Sequence, residues 1–233
     1  MKENFFVIGD IHGHFPELEK ILQYWDESTE QLIFLGDYID RGPDSARVLT
    51  LVEQLVKNKG AIALKGNHEE MLLDFLNNPL FAAEHYLGQG GYQTMMSFGY
   101  KGFEPLYLAG VFSKEQTEHL AFIQQLPLYH ETENLLFVHA GINPRLPNWQ
   151  DTSPEDFVWI RDTFHYSKNS VEKTIVFGHT PVRTLNLHGS DIPWTRDNKI
   201  GLDGGICYKQ GKLFGARFDS LGEMTELHII EKQ

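Results

Sequence analysis

Phe5-Phe6-Val7-Ile8-Gly9-Asp10-Ile11-His12-Gly13 is an apolar run that stops at a glycine and changes at once to Asp and His. Phe5 to Ile8 reads as a buried strand, and Phe15, Leu18, Ile21, Leu22 and Trp25 then recur at helical spacing. The same grammar returns twice. Gln31 to Leu35 is a second strand closed by Gly36-Asp37, followed by a helix begun by Pro43 and carried by Val48, Leu49, Val52, Leu55 and Val56. Ala61 to Leu64 is a third, ahead of Gly66-Asn67-His68-Glu69, and Glu69 to Asn77 returns to helix. Strand, helix, strand in this order predicts parallel pairing with right-handed crossovers. It also puts each polar motif at the carboxyl end of a strand, where open α/β sheets bind ligands.

Further along, Leu135 to Val138 and Thr174 to Phe177 are short apolar runs ending in His139 and Gly178-His179. From Lys199 onward the chain reads as strands and turns, with Lys212 to Phe218 and Glu223 to Ile230 forming a hairpin around Asp219-Ser220-Leu221-Gly222. Between Asn78 and His130 the pattern is different. Aromatics crowd this stretch (Phe81, Tyr86, Tyr92, Phe98, Tyr100, Phe103, Tyr107, Phe112) around a Gly88-Gln89-Gly90-Gly91 hinge. With 233 residues the chain suffices for one well-buried core and is short for two, so we expect a single domain over 1–233 with a helical insertion at about 78–130. Most of its aromatics should form its own core. Its place between Asn67 and His139 makes it one wall of a cleft, where it would set substrate choice.

A net charge of -12, with no Lys or Arg cluster longer than a pair, argues against a general nucleic-acid binder. Cys207 is the sole cysteine, which precludes an internal disulfide. From Met1 to Ile8 the apolar part, Phe5 to Ile8, is too short for a signal-peptide core or a membrane span. No membrane partner and a reducing, cytoplasmic setting are expected.

The chemistry lies in six ordered motifs: Gly9-Asp10-Ile11-His12-Gly13, Gly36-Asp37-Tyr38-Ile39-Asp40-Arg41-Gly42, Gly66-Asn67-His68-Glu69, Val138-His139-Ala140-Gly141, Gly178-His179-Thr180 and Asp203-Gly204-Gly205. Hydrolysing a phosphate ester requires a nucleophile at neutral pH and positive charge against the charge developing on phosphorus. Two divalent ions roughly 3.5 to 4 Å apart supply both. Oxygen and imidazole ligands hold such ions. In Asp10-x-His12 both side chains point to the same side if the segment leaving the strand stays extended, and the Asp37 carboxylate has two oxygens with which to bridge a metal pair.

As an ordered set these motifs resemble those of the metallophosphoesterases, and closely those of the phosphoprotein phosphatase branch with its bacterial and phage serine/threonine phosphatases. The resemblance implies an α/β fold of two packed mixed β-sheets flanked by helices, the calcineurin-like sandwich. It also implies that Asp10, His12 and Asp37 hold one metal, while Asp37, Asn67, His139 and His179 hold the other. A ligand set without thiolate that mixes carboxylate with imidazole suits Mn, Fe or Zn, and Mn is the first choice. By the same resemblance His68 is the general acid that protonates the leaving oxygen, with Asp40 orienting and charging its imidazole. Arg41 offers a bidentate fork for phosphate oxygens. Arg161, in Val158-Trp159-Ile160-Arg161-Asp162, matches a second phosphate-binding arginine, against a surface ion pair with Asp162 or Glu155. Of the other histidines, His14, His85, His119, His130, His165, His188 and His228 should be packed or surface residues, although His14 shares the loop of Asp10 and His12.

Three activities stay open at this point. The foremost is a phosphatase acting on phosphoserine and phosphothreonine in proteins by direct attack of a metal-bridging hydroxide. An alternative is a dinucleoside polyphosphate (diadenosine tetraphosphate) hydrolase using the same site. The symmetrically cleaving bacterial enzymes of that kind tend to carry Ala where Asp40 stands and Asp where Glu69 stands, whereas small relatives with Asp-Arg-Gly also cleave such nucleotides. A non-catalytic phosphate or nucleotide sensor is the third, although such modules typically lose a ligand or the acid. The partner is accordingly a phosphoprotein or a phosphorylated small molecule.

Overall fold

The computed structural model describes residues 4–232, so Met1 to Glu3 and Gln233 of the expected 1–233 span lie outside the described residues. The first sheet holds β1 (Asn4–Ile8), β2 (Glu30–Phe34), β3 (Ile62–Ala63), β9 (Lys212–Phe218) and β10 (Met224–Glu231), in the order β10-β9-β1-β2-β3. The second holds β4 (Tyr129–Glu131), β5 (Leu135–Val138), β6 (Thr174–Phe177), β7 (Trp194–Arg196) and β8 (Lys199–Gly201), in the order β4-β5-β6-β8-β7. β1, β2 and β3 pair in parallel, as do β5, β6 and β8, while both sheets carry antiparallel edges. This is the expected sandwich of two mixed sheets.

Alternation along each strand separates the layers. Phe5 and Val7 point between the sheets and meet Phe137, Val176, Leu202, Ala216 and Phe218 in a shared apolar layer. Phe6 and Ile8 point the other way, toward α1 (Phe15–Ile21) and α2 (Ser45–Lys59). Strands buried on both faces read as unbroken apolar runs, which is why they stood out in the sequence. The second helix begins at Ser45 rather than at Pro43, and its C-cap is Gly60 in the left-handed region at φ 68°.

Between β3 and β4 lie α3 (Asn67–Asn77), α4 (Pro79–Tyr86), α5 (Tyr92–Ser97), α6 (Pro105–Glu115) and α7 (Thr117–Gln125). Their apolar faces do not close on themselves. Tyr86, Met95, Leu108 and Phe112 join the same cluster as Phe34, Leu49 and Val52. Phe81 is 92% exposed and Phe103 77%, so these two aromatics lie outside that core.

Behind the second sheet lie α8 (Pro154–Trp159), α9 (Asp162–His165) and α10 (Val182–Leu185). Lys199 is buried there because its ammonium donates to the carbonyls of Phe164, His165 and Ser167. Beside it His165 stacks on Phe177 at 5.4 Å, and neither ring nitrogen has a hydrogen-bond partner among the described residues. Burial pushes this imidazole down to about 4; Asp162 opposes that shift, while Arg161 and Lys199 add to it. The folded protein therefore resists a proton that the unfolded chain accepts below its ordinary value. Stability should be full above that value and fall by up to about 3 kcal/mol as pH drops toward the folded value. Comparing melting midpoints at pH 7 and pH 5 checks this: His165→Phe should shrink the acid-induced drop, and an equal drop in both proteins would assign acid sensitivity elsewhere.

Candidate metal centre

Loops leaving strands of both sheets converge on one buried cluster. Asp10 and His12 follow β1, Asp37, Asp40 and Arg41 follow β2, and Asn67 and His68 open α3 after β3. His139, His179 and Asp203 follow β5, β6 and β8. All of these are buried apart from Arg41, which is partly exposed.

Asp37 sits at the centre. Its Oδ1 lies 3.5 Å from His139 Nε2, while its Oδ2 lies 3.6 Å from His12 Nε2 and 3.9 Å from His68 Nε2. Asn67 Oδ1 faces His139 Nε2 at 3.0 Å and His179 Nδ1 at 2.8 Å. Two sets of possible ligand atoms gather within 4.8 Å of one another: His12, Asp37 and His68, and Asp10, Asp37 and His139. Asp37 belongs to both. His68 falls in the first set by distance, although its Nδ1 is taken by Asp40 Oδ2 at 2.7 Å.

The surroundings fit divalent cations. His12 Nδ1 faces the Ile39 carbonyl at 3.1 Å and His139 Nδ1 faces the Leu35 carbonyl at 2.8 Å, which fixes the proton there and turns the Nε2 lone pair into the cluster. Burial keeps His12, His139 and His179 below the usual imidazole range, favouring the neutral form that ligates. Despite burial, the surrounding imidazoles hold Asp37 below the carboxylate range. Burial and mutual repulsion push Asp10 up, and burial chiefly lifts Asp203 to about 6. Buried carboxyls that repel one another, together with His68 Nε2 and His179 Nε2, which have no hydrogen-bond partner among the described residues, form a donor set that a cation would satisfy.

The backbone is bent to this purpose. His12, Asp37, Asp40, Arg41 and His179 all adopt left-handed φ between 46° and 72°, although none is glycine. Each such residue costs about 1–3 kcal/mol and persists only where its surroundings over-determine it. Glu69 does much of that work. Its carboxylate accepts from the amides of Gly66 (3.0 Å), Asp37 (3.0 Å), Tyr38 (2.8 Å) and Ile39 (3.4 Å), pinning the second motif to the third. Gly66 cannot be larger, because a Cβ there would lie 2.1 Å from Asp37 Oδ1.

Arg41 Nη1 donates to His12 Nε2 at 3.0 Å and reaches Cys207 Sγ at 3.4 Å. Arg161 Nη1 donates to Thr180 Oγ1 at 3.0 Å, next to His179, rather than to Asp162 or Glu155. Its charge acts on His139, His179 and Asp203. The structure thus gathers Asp10, His12, Asp37, Asp40, Arg41, Asn67, His68, His139, Arg161 and His179 in one place. His14 stays out of the cluster, with Nδ1 on the Ile11 carbonyl at 3.1 Å. Four neighbours had no role assigned from sequence: Glu69, Asp203, Tyr86 and Thr94. Glu69 had a usable signal, its place three residues after Gly66 at a helix start.

The calcineurin-like phosphoesterase family matches residues 4–206. The chain belongs to this family. Its members use divalent metals, so this calcineurin-like phosphoesterase is a metal-dependent hydrolase with candidate ligands already in place. Its sequence is 31% identical over 245 residues to the bis(5'-nucleosyl)-tetraphosphatase PrpE [asymmetrical] of Oceanobacillus iheyensis, covering 91% of this chain and 87% of that one. A counterpart of the same description from Bacillus mycoides is 31% identical, covering 92% and 90%. Among solved structures, a putative diadenosine tetraphosphatase superposes with a TM-score of 0.68 at 22% identity, covering 100% of this chain and 95% of that one. A cold-active protein tyrosine phosphatase superposes at 0.61 and 16% identity, covering 97% and 78%. At such identities these structures show the shared fold alone. Among the described residues no helix is long and apolar enough to cross a membrane.

Proposed function

We propose that this phosphoesterase hydrolyses dinucleoside polyphosphates, splitting a dinucleoside tetraphosphate asymmetrically into a nucleoside triphosphate and a nucleoside monophosphate. The observation that carries this is the 31% identity, over nine-tenths of the chain, to relatives described as asymmetrical tetraphosphatases. The reaction adds one water across a single phosphoanhydride: its oxygen joins one phosphorus, and the departing phosphate oxygen takes a proton.

Asp10, His12 and Asp37 would hold one divalent ion and Asp37, Asn67, His139 and His179 a second, the pair supplying positive charge at phosphorus and acidifying water. The chain's own residues do the rest. Arg41 and Arg161 hold non-bridging phosphate oxygens, concentrating positive charge in a protein whose net charge is -12. Asp40 keeps the His68 Nδ1 proton, so Nε2 is the atom that hands a proton to the leaving oxygen. Burial lowers the affinity of His68 for that proton, but Asp37 and Asp40 outweigh it and the net shift is upward. For the nucleoside there is room beyond Trp159, whose ring lies 5.9 Å from His179 and 6.4 Å from His85. His85, Phe81, Glu84, Gly88 and Gln89 line an open hollow of about 450 Å³ there, and the exposed Phe81 ring offers a face for a base.

A second reading, a phosphoserine and phosphothreonine phosphatase, is favoured by the Asp40–His68 pair. Such an acid is worth most to an alkoxide leaving group and little to a phosphate. Side-by-side kcat/KM values for diadenosine tetraphosphate and phosphopeptides, in Mn, decide between the two. We expect a preference for the nucleotide of roughly 10-fold or more, with ATP and AMP in equal amounts. ADP as the sole product would overturn asymmetric cleavage, and a preference for phosphopeptides would replace the first reading with the second.

A further inference from the structure

We propose that Thr94 and Tyr86, from the helical stretch after α3, are positioning residues that fix the Asp40 carboxylate and through it aim His68 at the leaving oxygen. The proposal rests on the roles given above to Asp40 and His68. Asp40 is fully buried, and a buried carboxylate keeps one orientation only if both oxygens are engaged. Oδ2 accepts from His68 Nδ1 at 2.7 Å. Oδ1 accepts from Thr94 Oγ1 at 2.5 Å and from Tyr86 OH at 3.2 Å. Neither hydroxyl reaches His68 or any proposed metal ligand by a hydrogen bond among the described residues; both act on the acid through Asp40.

Thr94 holds the backbone as well. Its Oγ1 accepts from the Asp40 amide at 2.9 Å, and Ser45 Oγ accepts from the same amide at 3.0 Å. With its only proton given to Oδ1 and a lone pair given to the amide, Thr94 clamps both ends of a residue whose φ is 72°. Gly90 extends the grip by one residue, its carbonyl accepting from the Arg41 amide at 3.3 Å. Any Cβ on Gly90 would stand 2.4 Å from that nitrogen. Tyr86 is itself fixed by stacking on Phe75 at 5.0 Å, so its hydroxyl cannot swing away. The stretch from α4 to α5 therefore serves to position the acid.

The test uses substituted phenyl phosphates running from the acidic p-nitrophenol leaving group to unsubstituted phenol, with wild type, Thr94→Val, Thr94→Ser, Tyr86→Phe and His68→Asn, each loaded with Mn. Thr94→Val should lower kcat by roughly 10-fold on phenyl phosphate and much less on p-nitrophenyl phosphate, a fraction of the usual worth of an acid. Thr94→Ser should restore it, and Tyr86→Phe, which keeps the ring stack, should show the same selectivity in milder form. If His68→Asn is selective for the poor leaving group while Thr94→Val and Tyr86→Phe are not, the positioning role is overturned and the acid assignment stands. If His68→Asn shows no selectivity, the acid assignment fails and the proposal with it. Should Thr94→Val fail to fold, Tyr86→Phe decides alone: a uniform loss or none overturns the proposal.

Discussion

Asp37→Asn is expected to reduce kcat by roughly 10³-fold or more, since a metal pair supplies several kcal/mol of transition-state stabilisation and this residue would bridge it. No other side chain in the cluster lies between so many potential ligands: His12, His68 and His139 all face its two oxygens. Replacing one oxygen by an amide nitrogen removes a donor and a unit of charge from both proposed ions at once. Because Oδ1 also accepts from the His68 amide at 3.1 Å, the amide oxygen of Asn can retain that bond and the fold should survive. Metal analysis of the purified variant checks the cause, which should be fewer than two ions per chain together with intact secondary structure. Dialysis of the wild type against a chelator should abolish turnover in parallel. Mn should restore it better than Mg, whose strict octahedral preference suits an imidazole-rich site poorly. Full turnover by Asp37→Asn with two bound ions would remove Asp37 from the bridging position.

His68→Asn should cost roughly 10² to 10⁴ in kcat wherever the departing oxygen needs a proton, the usual worth of general acid catalysis. Phenyl phosphate and phosphoserine peptides are such substrates. A nucleoside triphosphate leaving from a tetraphosphate is already a stabilised anion, so on diadenosine tetraphosphate the loss should be markedly smaller. The contrast between the two substrates is the measurement, with metal content held constant. Equal losses on both would mean that His68 supports the cluster or binds phosphate and does not deliver the proton.

Much of this centre was legible in the sequence because each motif follows an apolar run, and strands buried on both faces are hard to mistake. Leu135–Val138, Thr174–Phe177 and Lys212–Phe218 have the bounds that their apolar patterns predict. The short strand Trp194–Arg196, antiparallel to Lys199–Gly201, was not distinguished, because Thr195 and Arg196 face solvent and leave no alternation to read. Thr94 and Tyr86 were hidden for another reason. A hydroxyl that meets a carboxylate across 54 or 46 residues has no local spacing to betray it, and Tyr86 passed for one more aromatic in an aromatic stretch. Nor could left-handed backbone at His12, Asp37 or Asp40 be foreseen, since without glycine only the finished surroundings hold it.

The dispersal of the ligands along the chain has a consequence for biosynthesis. Asp10 accepts from the His179 amide across 169 residues, and Asn67 meets the His179 ring across 112. A nascent chain still short of β6 can pair β1 with β2 but owns only part of the cluster. Contacts so distant in sequence form late, after the loop entropy between them has been overcome. A stalled chain short of β6 would still own Asp10, His12 and Asp37, the proposed ligands of the first ion, whereas the second site waits for His179.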